Sequence, residues 1–461
     1  MSMVKRIGMQ AVLMSRHRHR QGEFSVTEKQ KLVNAAEKFS AQSVQDDQHQ
    51  SLRNLLMYAY RNVPYYRGVI QSSGLVDQFG EIRLDRFHEL PLLDKSAIRE
   101  QQWRLWSEKL SGMDWHYNTS GGSTGEPIRI VQDREYNQWS AAMQRFFAGW
   151  SGYSTGQPRV LLWGSERDLF VGRENVKIHL LRWLSNELWL NTFRITPELM
   201  HSYVKKINEF KPVQILAYAE SAYELAKFIE REGLVVHVPK SIMTSAGTLY
   251  SQMRSKIEQV FRAPVFNRYG SREVGDIASE CVHHRGLHIC PLTHYVEILR
   301  QDGMPALPGE VGEVVVTLLT NYSMPFVRYR IGDMAAWAEE HCTCGCSWPM
   351  LKEVAGRVSD TFLTREGTQI HGEYFTHLFY FRSWVEKFQV IQEDYDHVKV
   401  LLVALNKDAN NSEYASDLED ISNKIRVVLG DACRIEYQFV DHIPPTASGK
   451  YRYTISKAVA A

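Results

Sequence analysis

A glycine-rich segment carries the clearest chemical signal in this 461-residue chain. It has the sequence TSGGSTGEP and spans residues 119–127. Its three glycines allow the backbone to approach a ligand closely and to adopt positive φ angles. Hydroxyl side chains and backbone N–H groups together suit the phosphates of a nucleotide. The segment lacks the GxxxxGK[ST] spacing of a Walker loop, which excludes that class of NTPase. Alone, it is equally consistent with a flexible surface turn.

Cysteines and histidines form a second group that could do chemistry. Cys281 and Cys290 lie close together in the sequence, as do Cys342, Cys344 and Cys346. Six cysteines in a chain of this length do not indicate a disulfide scaffold. Clustered cysteines in such a protein favour metal binding, and thiolate with imidazole favours tetrahedral Zn²⁺. The alternative is a set of free, reduced cysteines.

The elements that must position these residues alternate between short apolar runs and helical stretches. A helix is predicted to end near Pro64, and Asp94 is a plausible N-cap of the next helix. Buried strands are predicted within 158–164, 213–218 and 240–247, with a helix over 220–233 that ends at a glycine. This alternation predicts an α/β fold.

Later parts of the chain have a different character. Residues 294–337 predict a β-rich subdomain, because strand-like runs are separated there by turn residues. After residue 360, two strands, a helix and a further strand predict a small α+β unit. We therefore predict an N-terminal domain over 1–356 and a C-terminal domain over 357–461.

Composition excludes several classes of protein. The formal net charge is +1, and no basic stripe indicates nucleic-acid binding. The sequence has no run of about 18 apolar residues, so no membrane span is expected. Basic residues near the N-terminus precede no apolar segment, which predicts a cytoplasmic protein. Trp103, Trp106 and Trp115 are expected to pack in the core.

Six short motifs, taken in their order along the chain, favour phosphate binding over a surface turn for the glycine-rich segment. As an ordered set they resemble the adenylate-forming superfamily of acyl-CoA synthetases, over roughly residues 50–455. The early LLMYAYRNVPYYR and the later ECVHHRGLH and CTCG resemble its phenylacetate–CoA ligase branch, which includes CapK-like members. The six strings are TSGGSTGEP, SAGTL (245–249), NRYGSREVG (267–275), RYRIGD (328–333), GRVSD (356–360) and PPTASGK (444–450).

The resemblance implies a large N-terminal domain with α/β layers, a small mobile C-terminal domain, and a site for ATP. Tyr269 would lie against the adenine, as an aromatic face does well. Glu273 would bind Mg²⁺, a cation that prefers carboxylate and phosphate oxygens. Asp333 would accept hydrogen bonds from the ribose, and Arg357 would approach the ribose or the phosphates. The implied nucleotide-binding residues are Ser120, Gly121, Gly122, Ser123, Thr124, Gly125, Ala246, Gly247, Tyr269, Gly270, Asp333 and Arg357.

Two further residues would act at the domain junction and in the transition state. Asp360 falls where the family places its hinge. Lys450 would bridge the carboxylate and the α-phosphate, and its charge would stabilise the transition state as pyrophosphate leaves. Two departures from the family pattern affect the details of phosphate and metal binding: Glu126 stands where lysine is frequent, and Arg272 stands where threonine is frequent.

The same branch includes members with zinc at positions that match this chain. The implied ligands are Cys281, His288, Cys342 and Cys344, with Cys346 the first substitute if one of them is wrong. Four protein ligands would leave no open coordination position, so the zinc would be structural.

The implied reaction has two steps. A carboxylic acid reacts with Mg·ATP to give an acyl-AMP, which then passes to coenzyme A. Two alternatives remain: an amine or hydroxyl acceptor in polysaccharide biosynthesis, as CapK-like relatives suggest, or a non-catalytic nucleotide-binding module. No motif identifies the acid, and the sequence does not address the oligomeric state.

Overall fold

A computed structural model describes most of the chain, and its contacts divide the chain into two compact units. The first comprises Met1–Ile331 and Ala335–Val354, and the second comprises Gly332–Met334 and Ala355–Ala461. The division at residues 354–355 lies beside the boundary predicted at 356–357. The described residues are 25–119, 128–163, 182–192, 196–357, 362–365, 369–370, 372–380, 382–405, 414–444 and 452–458.

Side-chain caps begin several of the described helices. Asp94 accepts a hydrogen bond from the backbone N–H of Ala97, as predicted, and Ser25 forms a capping box with Glu28. None of these helices is long and apolar enough to cross a membrane. The α-helices are α1 Val26–Ala36, α2 Ala41–Asn62, α3 Pro64–Ser72, α4 Lys95–Gln101, α5 Arg134–Trp150, α6 Pro197–Phe210, α7 Ala219–Arg231, α8 Ser251–Phe261, α9 Gly372–Tyr380 and α10 Ala415–Leu429.

The strands of the first unit form a two-stranded hairpin and one long sheet. The strands are β1 Trp115–Thr119, β2 Arg129–Asp133, β3 Arg159–Leu162, β4 Glu187–Leu190, β5 Gln214–Tyr218, β6 Ser241–Ser245, β7 Val265–Ser271, β8 Gly275–Glu280, β9 Leu287–Ile289, β10 His294–Leu299, β11 Val311–Leu318, β12 Tyr329–Trp337 and β13 Met350–Arg357. Among the described residues, the order in the long sheet is β10-β11-β12-β13-β9-β8-β7-β6-β5-β3-β4.

The sheet changes character at β7. Strands β4, β3, β5, β6 and β7 are parallel, whereas β7, β8 and β9 pair antiparallel. Alternate residues of the parallel strands, such as Val160, Ile215 and Ile242, pack with α6, α7 and α8 in one core. The intervening residues, such as Leu216 and Met243, form a separate cluster. The predicted strands, the helix that ends before Gly233 and the β-rich region are therefore all present.

The second unit contains a four-stranded sheet with order β18-β17-β16-β19. Phe375 and Phe379 of α9 stack on Phe362 and Phe388, with ring centroids 4.0 Å and 4.9 Å apart. The predicted fold class, α/β with a small α+β unit at the C-terminus, is confirmed. The strands of this unit are β14 Phe362–Leu363, β15 Gln369–Ile370, β16 Val385–Asp394, β17 His397–Ala404, β18 Arg434–Phe439 and β19 Thr454–Ser456.

One core prediction is wrong. Trp103 is 63% exposed, because it lies in a short 3₁₀ segment at the surface (Gln102–Leu105). Trp106 and Trp115 do pack against the main core. Sequence spacing alone could not distinguish the exposed tryptophan from the two that pack in the core, because the direction of a side chain in a short irregular segment depends on tertiary packing.

Candidate functional site

The predicted nucleotide-binding residues of β6 and β7 lie at one edge of the sheet. The two strands are parallel and pair Thr244 with Asn267, so the chain leaves both at the same edge. Ala246 and Gly247 follow β6, and Tyr269 and Gly270 lie in β7 beyond its last pair with β6. In open α/β sheets, ligands bind outside the carboxyl ends of the strands.

The backbone at this edge is tightly turned. Ala246 has a φ of 68°, which is unusual for a residue with a side chain. The β7–β8 pairing is shifted between Tyr269 and Gly270. A Cβ at position 270 would lie 2.4 Å from the carbonyl oxygen of Gly275, so only glycine fits. Such strained or irregular backbone is frequent at functional sites.

Glu273 follows in the turn between β7 and β8. Its side chain is almost completely buried, and Oε1 lies 3.9 Å from Nζ of Lys95, the first residue of α4. The backbone N–H of Glu273 donates to Oγ of Ser271 at 3.2 Å. A cation therefore faces the carboxylate that the sequence assigns to Mg²⁺. Sequence reasoning identified Asp94 as a helix cap but missed its neighbour Lys95.

The hairpin β1–β2 is tied to this turn. Its strands pair antiparallel from Trp115 with Asp133 to Thr119 with Arg129, so they flank the predicted phosphate loop. Nε2 of the buried Gln132 donates to the carbonyl oxygens of Arg272 at 3.0 Å and Glu273 at 3.4 Å. Residues 120–127 themselves lie outside the described residues. The strands on either side nevertheless connect the loop to the turn of Glu273.

A buried ion pair lies beneath the same turn. Nη1 of Arg268 is 3.0 Å from Oδ2 of Asp276, and both side chains are largely buried. Burial raises the pKa of Asp276, although the neighbouring Arg268 opposes that change. Burial also raises the pKa of Tyr136, whose hydroxyl approaches Gly275. These groups fix the β7–β8 turn, because a buried charge pair needs a defined geometry.

The remaining predicted residues are distributed as follows. Asp333 is half-buried on β12, in the three-residue stretch that groups with the second unit. Arg357 is the last residue of β13, also in the second unit. The hinge residue Asp360 and the catalytic candidate Lys450 lie outside the described residues, as do Ser120, Gly121, Gly122, Ser123, Thr124 and Gly125.

The four predicted zinc ligands lie together within the first unit. The ligand atoms of Cys281, His288, Cys342 and Cys344 are all within 4.8 Å of one another. The sulfurs of Cys281 and Cys342 are 3.7 Å apart, and Nε2 of His288 is 3.5 Å from the sulfur of Cys344. Cys281 follows β8, His288 lies in β9, and the other two lie in the turn between β12 and β13. The cluster thus joins two turns that are distant in sequence.

Hydrogen bonds and burial have opposite effects on the cysteines of this cluster, and burial has the larger effect, so the pKa values of Cys281 and Cys344 are raised. Backbone N–H groups of His283 and Cys346 point at the sulfurs of Cys281 and Cys344, at 3.4 Å each. Hydrogen bonds to a sulfur stabilise its charged form. Burial opposes this by raising the pKa of Cys281, and it lowers the pKa of His288 to about 4, which leaves the imidazole neutral. Cys346 is itself buried against aromatic side chains and is not one of the four.

Comparison with known proteins shows that the chain is similar to CapK and to phenylacetate–coenzyme A ligases. Residues 362–457 match the CapK C-terminal domain family. The chain is 25% identical to Protein CapK of Staphylococcus aureus over 412 residues, 89% of this chain and 88% of that protein. It is 24% identical to a phenylacetate–coenzyme A ligase of Thermus thermophilus over 333 residues, 69% of this chain and 71% of that protein.

Solved structures show the same fold. A 2-hydroxyisobutyryl-CoA ligase, in a postadenylation state with 2-HIB-AMP, superposes with a TM-score of 0.68 at 18% identity and with 88% of each chain covered. The prediction of an adenylate-forming ligase fold is therefore confirmed. The chain is a relative of CapK and the phenylacetate–coenzyme A ligases, and the resemblance that its ordered motifs predicted to this branch of the adenylate-forming enzymes is confirmed.

Proposed function

We propose that this protein activates a carboxylic acid with ATP, forming an acyl-AMP and pyrophosphate, and then transfers the acyl group to the thiol of coenzyme A. The main supporting observation is the sheet edge where Ala246, Gly247, Tyr269 and Gly270 meet the turn of Glu273. Relatives named as phenylacetate–coenzyme A ligases cover more than two thirds of their own length in the alignments.

Each of four site residues would have its own role in the adenylation step. The Tyr269 ring would pack on the adenine, and Asp333 would hold the ribose hydroxyls as an acceptor. Arg357 would reach the ribose or the phosphates, and Lys450 would place its ammonium between the substrate carboxylate and the α-phosphate. Because that charge acts where negative charge accumulates as pyrophosphate departs, its effect belongs to the transition state.

Glu273 is the residue that would hold Mg²⁺. The residue is 6% exposed, and its carboxylate faces Lys95 at 3.9 Å, beyond direct hydrogen-bond distance. Carboxylate and phosphate oxygens are the ligands that this cation prefers. Bound there, Mg²⁺ would neutralise charge on the phosphates of ATP. Residues of the loop 120–127 would contribute backbone N–H groups and hydroxyls to the same phosphates.

A structural Zn²⁺ at the cysteine–histidine cluster is part of the proposal. Three sulfurs and one imidazole nitrogen within 4.8 Å fit tetrahedral zinc, and the two N–H···S contacts fit charged ligands. The ion would tie the turn after β8 to the turn before β13. Activation of the acid would not use it, because four protein ligands leave no open position.

A second candidate acceptor is an amine or hydroxyl group. It is favoured by the alignment with CapK, which spans 89% of this chain, and by the CapK-type C-terminal domain at residues 362–457. The resemblance implies that the C-terminal domain carries Lys450 and rotates after adenylation to admit the acceptor, so a CapK-type domain at this position supports a CapK-type acceptor.

The experiment that tests the proposal separates the two steps. Pyrophosphate release from ATP would be measured across aryl, short aliphatic and amino acids, with no acceptor present. AMP release would then be measured with coenzyme A or with amine acceptors. Coenzyme A-dependent AMP release supports the first acceptor, and amine-dependent release supports the second. A folded protein that binds ATP but releases no pyrophosphate with any acid would instead indicate a non-catalytic nucleotide-binding module.

A further inference from the structure

The turn between β7 and β8, which carries Glu273, is held by buried side chains from other parts of the fold. Nε2 of Gln132 donates to the carbonyl oxygens of Arg272 at 3.0 Å and of Glu273 at 3.4 Å. The next carbonyl oxygen, that of Val274, accepts from Nε2 of His294 at 2.8 Å. Because these contacts fix the backbone of the turn, they also fix the direction in which the carboxylate of Glu273 leaves it.

Gln132 is a buried polar residue that none of the six motifs includes. It is 1% exposed and lies in β2 between the buried Val131 and Asp133. Burial of an amide costs free energy unless its donor and acceptor groups are both hydrogen-bonded. Here Oε1 accepts from Nδ2 of Asn118 at 2.9 Å, while Nε2 donates to the two carbonyl oxygens of the turn. Both ends of the amide are therefore used.

Asn118 continues the same chain of hydrogen bonds along β1. Its Oδ1 accepts from the backbone N–H of Thr119 at 2.8 Å. Thr119 is the last residue of β1 and the first residue of TSGGSTGEP. The donors all point in one direction, from Thr119 to Asn118, from Asn118 to Gln132 and from Gln132 to the turn. Hydrogen bonds aligned in this way polarise and strengthen one another.

An uncharged amide is the side chain that suits position 132. A carboxylate there could not donate to the carbonyl oxygens of the turn, and an ammonium group could not accept from Asn118. Either charge would also be costly at so buried a position. Gln132 thus links the start of the predicted phosphate-binding segment to the turn of Glu273 without placing a second charge beside its carboxylate.

We propose that Gln132, held in place by Asn118, is a positioning residue for the Mg²⁺ that Glu273 would bind together with ATP. This inference rests on the Mg·ATP site of the proposed function. Gln132 would act through the backbone of the turn, by holding the carboxylate of Glu273 in the orientation that the ion requires. Its loss should therefore reduce the contribution of Mg²⁺ to ATP binding more than it reduces ATP binding itself.

The test measures, by calorimetry on the full-length protein, the dissociation constant of ATP in excess EDTA and in excess Mg²⁺. The ratio of the first constant to the second gives the contribution of Mg²⁺ and requires no catalytic turnover. The variants are Gln132→Met, which keeps the length of the side chain but not the amide, Asn118→Ala, and the double variant. Melting temperatures would confirm that they fold.

Gln214→Met is the matched control. Gln214 is also completely buried in a strand, and its Nε2 donates to Oγ of Ser151 at 2.6 Å. It is the first residue of β5, whereas the proposed site lies beyond the carboxyl ends of the parallel strands. The control therefore removes a buried, hydrogen-bonded amide at the end of the sheet away from Glu273.

We expect Gln132→Met to reduce the ratio about tenfold, the order of effect of groups that orient a metal ligand, and to leave the constant in EDTA nearly unchanged. Asn118→Ala should reduce the ratio by a smaller factor. The double variant should lose no more than Gln132→Met, because members of one hydrogen-bond network are not additive. Gln214→Met should keep the wild-type ratio. In the pyrophosphate assay, Gln132→Met should need more Mg²⁺ for half-maximal rate, and saturating Mg²⁺ should restore most of the rate.

Three results would overturn the inference. One is a folded Gln132→Met that keeps the wild-type ratio, and another is a Gln132→Met that weakens ATP binding equally in Mg²⁺ and in EDTA. The third is a double variant whose loss is the product of the two single losses, because Asn118 would then act independently. If Gln132→Met does not fold, Asn118→Ala decides the question: a reduced ratio supports the inference, and a wild-type ratio overturns it.

Failure of the proposed function would look different. A wild type that releases no pyrophosphate with any acid, yet binds ATP more tightly in Mg²⁺, would refute the adenylation and leave this inference to the ratios of the variants. A wild type whose affinity for ATP does not depend on Mg²⁺ would refute the inference. An active wild type with an unchanged ratio in Gln132→Met would refute the inference alone.

Discussion

The most direct test of the fold around the site is a single change at Arg328. This arginine begins the RYRIGD motif, and its guanidinium is buried beside Glu297, with Nε···Oε2 and Nη2···Oε1 distances of 3.1 Å and 3.0 Å. Nη1 also donates to the carbonyl oxygens of His88 and, at 2.6 Å, Leu90. The backbone of Arg328 has a φ of 50° and accepts from the N–H of Leu93 at 2.9 Å. Arg328 therefore holds the segment that leads to Lys95.

Arg328→Met should destabilise the first unit by roughly 3–5 kcal/mol, because it leaves the carboxylate of Glu297 buried without its cation. The matched control is Arg330→Met, which removes a comparable ion pair with Glu313, in which Nε–Oε1 and Nη2–Oε2 are 2.9 Å and 2.5 Å apart. The side chain of Arg330 is 44% exposed, against 5% for Arg328. Solvent screening should limit the loss in the control to at most about 1 kcal/mol.

Urea unfolding followed by tryptophan fluorescence measures both losses. Of the 11 tryptophans, only Trp384 belongs to the second unit, so the signal reports the first. The deficit of Arg328→Met should also shrink as pH falls. Burial already raises the pKa of Glu297, and loss of the arginine raises it further, so acid converts the stranded carboxylate to a neutral group. Equal losses for the two variants, or a deficit that does not depend on pH, would refute this account of the buried pair.

Three other predictions follow from the cluster, the lysine and a buried histidine. Cys344→Ser should lower both the zinc content, expected near one equivalent by elemental analysis, and the melting temperature, whereas Cys433→Ser should leave the zinc content unchanged; zinc retained in Cys344→Ser would show that another residue binds it. Lys450→Ala should abolish pyrophosphate release yet leave ATP binding nearly intact by calorimetry, and a near wild-type rate would show that its assigned role is wrong. Burial lowers the pKa of His294 from 6.5 to about 4, so the unfolded chain takes up a proton first as pH falls. The free energy of unfolding should therefore fall between about pH 6.5 and 4, by at most roughly 3 kcal/mol. His294→Gln should reduce this pH dependence, whereas His116→Gln, at an exposed position, should leave it unchanged.

Local patterns were sufficient to predict most of the elements. The apolar runs within 213–218 and 240–247 form β5 and β6, because a parallel strand that is buried on both faces needs a nearly continuous apolar run. Asp94 caps α4 because the geometry of a cap involves only neighbours in sequence. The four residues proposed to bind zinc were identified by resemblance, and their convergence depends on the pairing of β9 with β13, which no local pattern contains.

The residues that sequence reasoning missed are those whose environment is wholly tertiary. Lys95 and Glu273 are 178 positions apart in the sequence. They lie close together because the hydrogen bonds of Arg328 hold the segment that precedes α4. Gln132 reaches the same turn through the hairpin β1–β2, and Glu220 reaches Gly247 through the pairing of β5 with β6. Each is a common residue type in an unremarkable sequence context. Their positions could not be predicted without the strand order.

The glycines and the charged residues of the motifs differ in how strongly they indicate an active enzyme. Gly270 has no space for a Cβ because the carbonyl oxygen of Gly275 is too close, and Gly247 has none because the carboxylate of Glu220 is there. Gly270 is thus required by backbone packing, so even a non-catalytic relative with this fold would need it, whereas the Glu220 side chain beside Gly247 could move aside. The buried carboxylate of Glu273 is different, because burial of a charge costs free energy that packing does not return. Its retention, together with Asp333 and Lys450, is therefore the stronger argument for an active enzyme.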